Sequence, residues 1–133
     1  EITTFIHMKK TISTQHAPAA IGPYSQAVLA GNTLYTAGQI AIAPETGALE
    51  LSNITKETHQ VMKNLNAVLS EAQMGFANVV KCTIFLKDMG QYAEINAVYS
   101  EYFSENPPAR EAVQVSRLPK DVNVEISLIA VAD

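Results

Sequence analysis

Asn78-Val79-Val80-Lys81-Cys82-Thr83-Ile84-Phe85-Leu86-Lys87-Asp88 alternates strictly. Val80, Cys82, Ile84 and Leu86 share one face, and Lys81, Thr83, Phe85 and Lys87 share the other, which is the period of a strand with one dry side. Upstream, over residues 55–74, the period becomes helical. Val61, Leu65, Val68, Leu69 and Ala72 fall at i, i+4, i+7, i+8 and i+11, one face of a helix that Ser52 or Asn53 caps and Gly75 closes. Downstream, Asp88 caps a second helix. It carries Tyr92, Ile95, Tyr99, Tyr102 and Phe103 on one stripe and stops before Pro107-Pro108.

Farther out, period two returns. Val122, Val124, Ile126 and Leu128 oppose Asn123, Glu125, Ser127, Ile129 and Val131; before them, Val113 and Val115 oppose Ala112, Gln114 and Ser116. Leu118-Pro119-Lys120-Asp121 reads as a hairpin turn between these strands. Earlier strands are expected over residues 9–13, 25–30 and 33–41, with Gly31-Asn32 as a tight turn. The order β, β, β, α, β, α, β, β predicts an α/β (α+β) fold, a sheet with two helices packed on one face. Phe85, Ile129 and Val131 then lie on the uncovered face beside Lys81, Glu125 and Gln114. That mixture is too apolar for water and too polar for a monomer core, so the face is expected to be buried against other subunits.

Composition sets the bounds. A chain of 133 residues, 47% hydrophobic, suffices for one core, read as a single domain over residues 8–133 behind an added leader, residues 1–7. A net charge of -4 argues against a duplex nucleic-acid binder. The single cysteine, Cys82, excludes an internal disulfide and fits a reducing, cytoplasmic setting; its place between Val80 and Ile84 reads as a packed core thiol. The longest purely apolar run, Leu128 to Ala132, is too short to span a membrane. His7, His16 and His59 have no ligand spacing, and His59 reads as a surface residue. Serine-hydrolase and phosphate-loop motifs do not occur. Neither metal nor cofactor is expected.

Arg110 follows Pro107-Pro108-Ala109, where a stiff segment enters a strand, and alternation sets it with Ala112 and Gln114 on the open face. Glu125, between Val124 and Ile126, points to the same face. Each alone reads as a surface ion-pairing residue. Together, on a face that meets another subunit, they make a polar site in a semi-buried seam.

Several segments carry a resemblance: Ala19-Ala20-Ile21-Gly22-Pro23-Tyr24-Ser25-Gln26-Ala27, Thr36-Ala37-Gly38-Gln39-Ile40, Pro108-Ala109-Arg110, Ser116-Arg117-Leu118-Pro119-Lys120-Asp121-Val122 and Val124-Glu125-Ile126. From about Met8 onward the chain closely resembles the reactive intermediate deaminase A (RidA, YjgF) family. The resemblance implies a chorismate-mutase-like fold with a mixed six-stranded sheet, and a homotrimer with pockets between subunits. It also implies hydrolysis of 2-imino and 2-enamino acids, such as the 2-aminoacrylate released by pyridoxal-phosphate enzymes, to 2-oxo acids and ammonia. By the same resemblance Arg110 grips the substrate carboxylate, Glu125 positions water, and Tyr24 and Gly38 line the pocket. Ala112 stands where the family commonly has cysteine, so only its backbone could touch substrate.

Such chemistry suits these residue types. A guanidinium fork fixes a carboxylate in orientation as well as position. A carboxylate can take the proton from an attacking water, and a positive charge near Glu125 would keep it ionised. Two other readings use the same residues: a small-carboxylate-binding regulatory or chaperone-like trimer, and an endoribonuclease or translation inhibitor, which the acidic charge and missing histidine pair disfavour.

Overall fold

The computed structural model describes residues 9–133; the leader expected over residues 1–7, and Met8 with it, lies outside them. Six strands and two helices follow in chain order: β1 (Lys9–Ile12), β2 (Ala27–Ala30), β3 (Thr33–Thr36), α1 (Ile54–Glu71), β4 (Val79–Leu86), α2 (Tyr92–Ser100), β5 (Ala109–Gln114) and β6 (Val124–Val131). They form one mixed sheet in the order β1-β2-β3-β6-β4-β5, with β4 and β5 parallel and the other pairs antiparallel.

The helical period of α1 becomes the core. Val61, Met62, Leu65, Val68 and Leu69 are fully buried, with Leu34, Cys82, Ile84, Leu86, Ile126 and Leu128 of the sheet in the same cluster. Each large side chain contributes about 1.5–3 kcal/mol by leaving water. From α2, Ile95 and Tyr99 join the cluster, and Val98 is buried alongside. Asn53 caps α1, its side-chain oxygen accepting from the Lys56 N–H at 2.8 Å. The far end differs from expectation. Gln73, not Gly75, takes the left-handed conformation (φ 60°), and the Met74 N–H donates back to the Leu69 carbonyl at 2.9 Å.

Glu57 is a carboxylate inside this core. Its two oxygens accept from the Asn123 N–H at 2.8 Å and the Asn123 Nδ2 at 2.7 Å, tying α1 to the chain just before β6. Asn64, also buried, donates to the carbonyls of Ile40 and Ile42, and so anchors the loop after β3 to α1.

Four further readings of the sequence are corrected along the chain. The β4 alternation slips at its start: a bulge opposite β6 makes Val80 the extra residue, so Val79 is buried and Val80 is 48% exposed. Residues 118–121 do not form a hairpin, because β4 lies between β5 and β6; the segment 115–123 crosses the end of β4, where Val115 donates to the Leu86 carbonyl and Lys87 to the Asn123 carbonyl. The strand expected over residues 33–41 stops at Thr36, and only Gln39 returns to the sheet, bridged to Ile126. His59 is half-buried, its Nδ1 2.7 Å from the Tyr102 hydroxyl.

The face without helices is apolar in the expected way. Tyr35 pairs with Ile129, which pairs with Lys81; Phe85 pairs with both Glu125 and Val113. Tyr35, Phe85 and Val113 are 49%, 36% and 42% exposed. Lys81 and Glu111 form an ion pair of 2.8 Å on this same face. Gln114 is not part of it. Its partner on β4 is the buried Leu86, and its Oε1 accepts from the Met89 N–H before α2.

Candidate functional site

Glu125 is delivered by β6, whose alternation buries Val124 and Ile126 and turns Glu125 outward. Gln39 exchanges both backbone hydrogen bonds with Ile126, at 2.8 and 3.2 Å, and this bridge lays Gly38 against the Glu125 side chain. A Cβ on Gly38 would sit 2.5 Å from Glu125 Oε2 and 2.8 Å from its Cδ, so any larger residue would push the Glu125 carboxyl out of place. A cavity of about 250 Å³ opens here, lined by Glu125, Gly38, Tyr24, Ile21, Ile40 and Lys120 among others.

The loop forming another wall is pinned by one buried side chain. Gln26 Nε2 donates to the carbonyls of Thr14, Ala17 and Pro18, while its Oε1 accepts from the Thr14 N–H at 2.6 Å. Pro18 and Ala19 are thereby held at the cavity, and Tyr24, 52% exposed, stands at its edge. Lys120 reaches it from a turn in which both Lys120 and Asp121 have positive φ (55° and 56°). Asp121 ties that turn down through Lys87 at 3.0 Å and Arg117 at 3.8 Å.

Arg110 is elsewhere. Its partner across the parallel β4–β5 pair is Cys82, which faces the helices, so Arg110 lies on the helix side and not on the open face. Ala112, opposite buried Ile84, follows it there. The alternation of β5 was thus assigned to the wrong face: Val113, expected in the core, points out. The guanidinium lies against α2. One terminal nitrogen donates to Asn96 Oδ1 at 2.6 Å, the other to the Tyr92 hydroxyl at 2.5 Å. Its carbon stands 4.9 Å from the Tyr99 ring centre and 5.6 Å from that of Tyr92. A second cavity, about 400 Å³, is walled by Arg110, Asn96, Tyr99, Phe103, Pro107 and Pro108.

Within one chain, then, Tyr24, Gly38 and Glu125 are gathered into one half-site, and Arg110 and Ala112 belong to another. Since β4 separates β5 from β6, the strands bearing Arg110 and Glu125 are about 10 Å apart across the sheet, and the two side chains leave opposite faces.

Electrostatics follow that separation. Burial pushes the Glu125 carboxyl up from its usual value, and among the described residues no ion pair offsets it. The expected lowering by Arg110 is therefore not found within the chain. Around Arg110, burial raises the Cys82 thiol, as befits a packed core residue. Burial also raises the Tyr99 hydroxyl, with Cys82 adding to the rise and Arg110 opposing it, and the hydroxyl has no well-formed hydrogen bond among the described residues. Tyr92, Asn96 and Tyr99 were not singled out as partners of Arg110 from sequence. Their spacing at i, i+4 and i+7 was the available signal, since it puts a phenol, an amide and an aromatic face in one row along α2.

Among the described residues no helix is long and apolar enough to cross a membrane. A sequence profile of the family described as Endoribonuclease L-PSP matches residues 14–132. A RutC family protein of Pyrococcus horikoshii is 53% identical over 123 residues, covering 92% of this chain and 98% of that one. The 2-iminobutanoate/2-iminopropanoate deaminase of Rattus norvegicus is 47% identical over 124 residues, 93% of this chain and 90% of that one. Among solved structures, E. coli TdcF with bound serine superposes with a TM-score of 0.89 at 39% identity, covering 93% of this chain and 99% of the other. With a family profile spanning nearly all of the described residues and relatives this similar over almost their whole length, the chain belongs to the RidA/YjgF family, also written RutC.

Proposed function

We propose that this protein hydrolyses 2-imino and 2-enamino acids to 2-oxo acids and ammonia, in sites shared between neighbouring subunits of a homotrimer. The observation that carries the reading is the pair of unfinished half-sites. One surface of the chain offers a half-buried carboxylate that forms no ion pair among the described residues, backed by a glycine; another offers a guanidinium with unused donors. In a trimer that covers Tyr35, Phe85 and Val113, the edge strand β5 of one copy would carry its Arg110 to the Glu125 cavity of the next. Likeness to the rat deaminase supports the reaction, and serine on the E. coli relative supports a small amino-acid-like ligand.

The chemistry asks little else. Arg110 holds the substrate carboxylate by charge-assisted hydrogen bonds and so fixes C2. Glu125 accepts a proton from a water as the water oxygen bonds to C2 of the protonated imine, giving a carbinolamine. The same proton then passes to the amino nitrogen; as the C–N bond breaks and ammonia leaves, the freed Glu125 carboxylate takes the hydroxyl proton while C=O forms, and releases it to solvent, so that the 2-oxo acid remains. Burial raises the basicity of Glu125, which favours the first transfer. Gly38 lets the reacting nitrogen approach the backbone beside the carboxylate. Enamines tautomerise to imines before hydrolysis.

Mixed assemblies test this reading. Arg110→Ala and Glu125→Gln should each lose activity on imines generated in situ, read as 2-oxo acid through a coupled lactate-dehydrogenase assay. Unfolding and refolding the two variants together at equal amounts should restore about a quarter of wild-type activity, because about one shared site in four then holds both native residues. No recovery, despite trimeric mass and native spectra, would show that the residues do not share a site. Wild-type protein that binds 2-oxo acids without turning imines over would favour a carboxylate-binding regulator.

A further inference from the structure

The residues that hold Arg110 carry unused chemistry. A guanidinium can only donate, so the oxygen of Tyr92 must be the acceptor in its 2.5 Å contact with Arg110, and the phenolic proton must point elsewhere. Asn96 is in the same position: its Oδ1 accepts from Arg110, and its Nδ2 N–H groups have no acceptor among the described residues. Both side chains are half-buried, and Asn96 lines the second cavity with Arg110. Arg110 itself keeps Nε–H and the second N–H of each terminal nitrogen. Tyr92, Asn96 and Arg110 together present only donors outward, around one positive charge. Glu94 and Glu101 on and beside α2 are exposed, and neither pairs with this cluster among the described residues.

We propose that Tyr92 is a carboxylate-binding residue: its hydroxyl accepts from Arg110 and donates its own proton to the substrate carboxylate that Arg110 holds. Accepting from a cation makes a phenol a stronger donor, so the two bonds reinforce each other. The arrangement also explains why the Tyr92 ring is needed at 5.6 Å from the guanidinium, since the ring fixes the height of its oxygen beside the fork. This inference rests on the function proposed above and adds to it a residue from α2, on the same chain as Arg110. It predicts selectivity for acids over their neutral amides beyond what Arg110 alone supplies.

The test is binding of 2-oxobutanoate and of its neutral amide by calorimetry, with imine hydrolysis measured in parallel. Tyr92→Phe keeps the ring over Arg110 and should leave Tm and oligomer mass unchanged. Affinity for the acid should fall about tenfold, with KM raised and kcat nearly unchanged, while amide affinity stays the same. O-methyltyrosine at position 92 keeps the accepting oxygen without the proton, and it should bind the acid as poorly as Tyr92→Phe. Wild-type affinity in the O-methyl variant would reduce Tyr92 to a prop for Arg110 and overturn the proposal. Unchanged acid affinity in Tyr92→Phe would overturn it too, while leaving the proposed reaction standing. Wild-type protein with no affinity for the acid and no hydrolysis would overturn both.

Discussion

Gly38 and Glu125 touch so closely that a methyl group between them would lie 2.5 Å from a carboxylate oxygen. The contact comes from the Gln39–Ile126 bridge, which leaves the backbone no room to retreat. Gly38→Ala should therefore displace the Glu125 side chain without unfolding the sheet. We expect imine hydrolysis to drop at least about tenfold, because a displaced general base loses its water, with Tm lowered by only a few degrees. Coupled kinetics and a thermal melt check it; wild-type turnover would show that Glu125 is not held for catalysis.

Glu125→Gln separates catalysis from stability. Loss of the general base should lower kcat about a hundredfold. Stability should move the other way. Burial raises the folded-state pKa of Glu125, so the neutral form is the one the fold favours. Wild type then keeps its full stability below the usual carboxylate pKa and loses some as pH rises through the raised value. The Gln variant should melt higher than wild type at neutral pH, and the gap should close in acid. Melts from pH 3 to pH 8 would show it.

Glu57→Ala should be a stability mutation with no direct effect on chemistry. It strands the backbone N–H and side-chain amide of Asn123 against a fully buried site. A loss of about 2–3 kcal/mol is expected, read as a lower urea midpoint at unchanged m-value. A loss under about 0.5 kcal/mol would mean that water readily replaces the carboxylate.

Lys120 holds a left-handed conformation at φ 55° without being glycine. That costs about 1–2 kcal/mol, and glycine removes it at an unfolded-state entropy cost of about 0.5–1 kcal/mol. Lys120→Gly should stabilise the chain by up to about 1 kcal/mol in urea titration. Since Lys120 lines the Glu125 cavity, the variant should also raise KM for the anionic substrate, most clearly at low salt.

Elements buried on one side only were legible from the sequence. In β6 the buried and half-buried residues alternate without a break, and in α1 four of the five residues read at helical spacing, Val61, Leu65, Val68 and Leu69, became core, with Ala72 partly buried beside them. The placement of Glu125 on the open face followed directly. β5 was different. Ala-Arg-Glu-Ala-Val-Gln has one strong apolar residue, Val113, and taking it for the core reversed the whole strand. The open face is itself apolar, so hydrophobicity does not tell its two sides apart there. Val80 failed for a related reason: two adjacent valines satisfy either alternation, and the bulge opposite β6 chose Val79.

By itself the sequence determined that two amphipathic helices would cover one side of a sheet, that its other side would be sticky, and that Glu125 would face that side; Gly38 and Tyr24 were singled out only through the family resemblance. Periodicity and turn chemistry are local, and they suffice for the helices, the sticky side and Glu125. Which face received Arg110 was settled only by the parallel register of β5 on β4, a pairing between segments with a helix between them in the chain. That register turned the guanidinium toward Tyr92 and Asn96 and away from Glu125. Alternation along a strand fixes which residues share a side; only the neighbouring strand decides which side it is.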